Sequence, residues 1–108
     1  MRWRITLEVG HHQPDRTVVL ERETGEPVTI GRAGCDVVIA IGAMARHHGS
    51  LEVQPDGQVV VVDSGNGSGC WIRGQRSRRA TVAPGDEIYM GQACIRLAAA
   101  PEPLAQQS

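Results

Sequence analysis

Trp3, Ile5, Leu7 and Val9 alternate with Arg2, Arg4, Thr6 and Glu8, the period-two signature of a strand with one face buried and the other in solvent. Short runs rich in β-branched residues then recur at Thr17 to Leu20, Val28 to Ile30, Val37 to Ile39, Ser50 to Val53 and Val59 to Val62. Later runs fall at Trp71 to Arg73, Ala80 to Val82, Glu87 to Tyr89 and Ala93 to Leu97. Turn-forming clusters punctuate them at Pro55-Asp56-Gly57, Ser64-Gly65-Asn66-Gly67 and Pro84-Gly85-Asp86. No stretch has the length and period of a helix. Many short strands between regular turn signals predict an all-β fold, a two-sheet antiparallel β-sandwich. The pattern holds over residues 1–98 and fails over 99–108, where Pro101 and Pro103 give the composition of a semi-rigid linker. That tail reads as the start of a linker to another module or, equally, as a frayed terminus.

A chain of 108 residues has room for one two-layer core and none for a separate catalytic domain. The formal net charge is -1 with acidic residues scattered throughout, so no field draws the molecule as a whole to nucleic acid or to a membrane. All 11 basic residues are arginines, each a planar fork suited to phosphate or carboxylate. Cys35, Cys70 and Cys94 are odd in number and lack metal-ligand spacing, which points to buried thiols in a reducing, cytoplasmic compartment. No apolar run reaches the length of a signal peptide or a membrane span. His11-His12 and His47-His48 have no acidic or cysteine partner at a telling spacing, and adjacent strand residues point to opposite faces, so no metal and no cofactor are expected.

One segment carries the chemistry. A strand ends in Gly31-Arg32, Asp36-Val-Val-Ile39 follows, and Ala45-Arg46-His47-His48 comes next, placing a strand between two loops that each offer an arginine. With Asp63 to Gly74 and Pro84-Gly85-Asp86-Glu87-Ile88, the stretch from Val28 to Leu97 resembles the forkhead-associated (FHA) domain, a phosphothreonine-peptide-binding module. The resemblance implies a sandwich of about eleven short strands whose loops at one end bind a partner protein. It makes Arg32 the phosphate anchor, Arg46 an assisting cation, and Gly31, His48, Gly69 and Gly74 residues that support the loops. A phosphothreonine brings a charge of roughly -1.5 to -2 and three strong acceptors, which a guanidinium fork matches.

The same alignment shows departures. Ala45 stands where the family has a serine, and its missing hydroxyl removes a charge-assisted hydrogen bond of about 1.5 to 3 kcal/mol, a ~10- to 100-fold loss in affinity. Ser68 and Arg73 replace two asparagines and Cys70 replaces a threonine, while Asn66 lies two residues early. The expected phosphopeptide-binding set is therefore Arg32, Arg46, Asn66, Ser68 and Arg73, with a weakened grip on phosphate. The departures also motivate a second reading, a phosphate-independent scaffold or oligomerisation domain of a larger bacterial signalling or secretion protein. A third, in which Cys70 and a neighbouring histidine form a nucleophile and base, lacks an orienting group and an oxyanion hole, so no catalytic residue is assigned. Arg73 to Arg79 reads as a solvated basic turn, and Trp71 alone gives nucleic-acid bases no stacking platform.

Overall fold

The computed structural model describes residues 1–104. Twelve strands form: β1 (Arg2–His11), β2 (Arg16–Glu23), β3 (Val28–Gly31), β4 (Val37–Val38), β5 (Gly49–Val53), β6 (Val59–Asp63), β7 (Cys70–Ile72), β8 (Gln75–Ser77), β9 (Arg79–Val82), β10 (Glu87–Met90), β11 (Ala93–Leu97) and β12 (Glu102–Pro103). They make two sheets. One runs β12-β1-β11-β10-β7-β8 with β2 on the other side of β1, and the second runs β4-β3-β5-β6-β9.

The alternation seen in the sequence becomes the core. Trp3, Ile5, Leu7 and Val9 of β1 face inward with Ile88 and Met90 of β10 and Ile95 and Leu97 of β11. They meet Val28 and Ile30 of β3, Leu51 and Val53 of β5, and Val59 and Val61 of β6. Each such aliphatic side chain taken out of water contributes about 1.5 to 3 kcal/mol, which is what holds two sheets of such short strands together.

The architecture is the expected all-β sandwich, with three local differences. β3 and β4 pair in parallel, through Ile30↔Val37 and Gly31↔Val38, where an antiparallel arrangement was expected throughout. Asp36 is the reason: its carboxylate accepts the Thr29 N–H and Oγ1–H at 3.0 Å while its own N–H reaches Thr29 Oγ1 at 2.9 Å, folding the loop back beside β3. Arg22 of β2 pairs with the same carboxylate at 2.9 Å. The Thr29 backbone N–H, with Arg22 beside it, holds the Asp36 carboxyl below its ordinary value. The second difference is β8, an all-polar strand paired with β7. The third is β12, which lies within the 99–108 segment and pairs with β1 through Trp3↔Pro103 and Arg4↔Glu102. Pro103 donates nothing to the ladder, and the Leu104 N–H reaches the Arg2 carbonyl at 2.8 Å instead.

The loops that matter leave one end of the sandwich. Residues 32–36, 39–48 and 64–69 connect β3–β4, β4–β5 and β6–β7, and strand pairing brings them together: Ile30 lies opposite Gly49, Gly49 opposite Asp63, and Cys70 opposite Met90.

Candidate functional site

Two arginine-bearing loops are zipped backbone to backbone. The Arg32 N–H donates to the Ala45 carbonyl at 2.9 Å and the Ala33 N–H to the Arg46 carbonyl at 3.4 Å. Gly31 makes this approach possible: a Cβ there would sit 2.0 Å from the Arg46 carbonyl oxygen, which any side chain would push away. The Arg32 Nε donates to the Met44 carbonyl at 3.2 Å, and among the described residues no carboxylate pairs with the guanidinium. One nitrogen thus orients the fork of an exposed side chain. Arg46 is exposed and makes no ion pair among the described residues.

His48 lies beneath, fully buried, the one buried polar or charged residue among the described residues. Its Nδ1 accepts the Ala45 N–H at 3.1 Å, so the proton sits on Nε2, which donates to the Gly69 carbonyl at 2.8 Å. The neutral imidazole therefore ties the β4–β5 loop to the β6–β7 loop. Gly67 packs directly on the ring, where a Cβ would lie 2.6 Å from Cε1.

Ser64 adds a contact that sequence reasoning missed. Its hydroxyl is 2.7 Å from the His47 carbonyl and 2.8 Å from that of His48, and it accepts the Asn66 N–H at 3.3 Å. Asp63 Oδ1 accepts the Gly65 N–H at 3.3 Å in the same turn. The Ser64-Gly65-Asn66-Gly67 run was legible as a turn; the partner of the hydroxyl, sixteen residues away in the chain, was not. Asn66, itself exposed, donates its amide to the His47 carbonyl at 3.4 Å, and Ser68 is exposed on the same loop.

The structure brings Arg32, Arg46, Asn66 and Ser68 to one end, around Gly31, His48 and Gly69. It does not bring Arg73 there. Arg73 and Gly74 form the two-residue turn between Ile72 and Gln75, both with positive φ (51° and 78°), and the Arg73 guanidinium pairs with Asp86 at 2.5 Å. β7 runs away from the loops, which puts this turn roughly 13 Å along the strand from Gly69. Cys70 is buried beside Asp63, with burial first and the carboxylate second pushing its thiol up to about 12. Both His48 nitrogens are already bonded, so that imidazole is not free to serve as its base, and the raised thiol keeps its proton.

The model of the FHA domain family matches residues 28–91, more than half the chain. The chain belongs to the FHA family. FHA domains bind phosphothreonine peptides and act as protein interaction modules. Several solved FHA structures share the fold. The FHA domain of CT664 from Chlamydia trachomatis is similar at 18% identity and a TM-score of 0.74, over 94% of this chain and 99% of that one. The Slr1951 protein from Synechocystis sp. is similar at 27% identity and a TM-score of 0.70, over 96% and 99%. A structure from a study of phosphothreonine-dependent FHA domain interactions is similar at 19% identity and a TM-score of 0.71, over 95% and 99%. No curated protein matches.

Proposed function

We propose that this FHA domain reads phosphothreonine peptides of a partner protein with a grip weakened at one contact, and that Arg32 anchors the phosphate. The observation that carries this is the Arg32 guanidinium, oriented by the Met44 carbonyl and without a carboxylate partner among the described residues, on a loop locked to that of Arg46. A preoriented fork loses little freedom when it meets phosphate, so its hydrogen bonds add nearly in full to affinity. Arg46 supplies a second cation, and Asn66 Oδ1 and Ser68 supply weak polar contacts to the peptide backbone. Ala45 supplies none. Arg73 has no part in this reading, because its charge is engaged by Asp86.

Nothing in the site supports catalysis, and the three free thiols fit a reducing, cytoplasmic setting. No helix among the described residues is long and apolar enough to cross a membrane. Ala45→Ser tests the reading directly. With the N–H of residue 45 already fixed by His48, the new hydroxyl sits at a preformed position, and phosphopeptide affinity rises by ~10-fold or more. An affinity that Ala45→Ser leaves unchanged, in a folded protein, would favour the phosphate-independent scaffold instead.

A further inference from the structure

Arginine pairing divides this molecule. Arg2, Arg4, Arg22, Arg73, Arg79 and Arg96 each pair with a carboxylate. Arg16 donates to the Val38 carbonyl. The other four, Arg32, Arg46, Arg76 and Arg78, have no carboxylate partner among the described residues, and all four lie on or beside the loop end. Two of them are the phosphate-site arginines. Arg76 and Arg78 are unassigned.

These two line one open cleft of about 620 Å³ with Asp63, Ser64 and Gly65. Arg76 reaches out of β8 along the strand toward the β6–β7 loop, its Nε 2.4 Å from where a Cβ on Gly69 would stand. The Arg78 carbonyl accepts the Asp63 N–H at 2.9 Å, fixing its backbone to the end of β6. Ser64, in the cleft wall, is bonded to the carbonyls of His47 and His48, the residues following Arg46. The cleft therefore continues the surface that carries Arg46. Asp63 is the opposing charge, and its Oδ1 is turned to the Gly65 N–H and toward the buried Cys70 thiol. Two unpaired guanidinium groups against one locally engaged carboxylate leave a net attraction for anions.

We propose that the Arg76–Arg78 cleft is a second anion subsite, which holds an acidic or phosphorylated side chain of the same peptide, flanking its phosphothreonine. The inference rests on the phosphothreonine reading above. Its role would be to recover affinity that Ala45 gives up, through charge outside the phosphate pocket, and to restrict the domain to acidic or multiply phosphorylated segments. Such exposed pairs are individually weak and salt-sensitive, so the gain is modest and shrinks as ionic strength rises.

The test is titration of four peptides by fluorescence anisotropy: one phosphothreonine with neutral flanks, the same with glutamates on both sides, the same with a second phosphothreonine, and the unphosphorylated glutamate peptide. Glutamate or a second phosphate should tighten binding roughly three- to tenfold at low salt, and the unphosphorylated peptide should not bind. Whichever of the two anions gains more identifies the source. Arg76→Gln with Arg78→Gln should abolish the gain while leaving the neutral-flank peptide within about twofold. Because Arg76 packs on Gly69, Arg78→Gln alone is the second variant, and it should remove part of the gain without touching that loop. No gain from flanking anions, or a gain that survives both variants, overturns the inference while the phosphothreonine reading stands. If the wild-type protein binds no phosphopeptide at all, both fall.

Discussion

At the scale of single residues, the site depends on a few close contacts whose loss is measurable. Gly31→Ala places a Cβ against the Arg46 carbonyl, so the two arginine loops must separate. The expected cost is about 1 to 3 kcal/mol in chemical denaturation, with weaker phosphopeptide binding alongside. Arg73→Asn is the contrasting case. It removes an exposed ion pair with Asp86 that is worth at most about 1 kcal/mol, and places at positive φ a residue that tolerates it better. Stability should change by less than about 0.5 kcal/mol and phosphopeptide affinity not at all. Cys70 gives a pH dependence. Its thiol titrates from about 12 in the fold against an ordinary 9.0, so both states hold the proton below pH 9 and only the unfolded chain releases it above. Stability should therefore fall as pH rises from 9 toward 12. Cys94, also raised by burial, acts in the same direction. In Cys70→Ala the decline should be shallower, whatever the variant's stability at neutral pH.

At the scale of elements, the strands that bury one face were legible because alternation records burial directly: β1, β3, β5, β6, β10 and β11 fall where the pattern places them. β8 was not, since Gln75, Arg76 and Ser77 bury little and owe their extended form to pairing with β7. β12 was not either, because two residues ending in a proline carry no period. Its anchoring comes instead from the Arg4–Glu102 pair at 3.0 Å and the main-chain bond from Leu104. The division of the chain at residue 98 can be tested on this element. Removing residues 99–108 should lower the thermal midpoint by about 4–8 °C, the effect of a loss near 1 kcal/mol, as the edge of β1 around Trp3 is uncovered. The site was legible in the same uneven way. Gly31-Arg32 and Arg46-x-His48 are read from local spacing. The Ser64 hydroxyl and the arginine pairing cannot be, because which charges find partners is decided by residues distant in the chain.

At the scale of the whole molecule, two thin sheets close over an aliphatic core, and one end of the sandwich is left to loops that the core itself positions. His48, buried among apolar side chains, carries rigidity from that core to Ala45 and Gly69. Charge is distributed unevenly: six arginines elsewhere pair with glutamate or aspartate and Arg16 with the Val38 carbonyl, whereas the four at the loop end have no carboxylate partner among the described residues. In the function proposed above, phosphate on a partner peptide is read through Arg32. Calorimetric titration with a pool of phosphothreonine peptides and the matched unphosphorylated pool, repeated with Arg32→Ala, tests it most directly. Binding to the phosphorylated pool alone is expected, and it should be lost in Arg32→Ala. Equal binding to both pools, or phosphopeptide binding that survives Arg32→Ala, would contradict it.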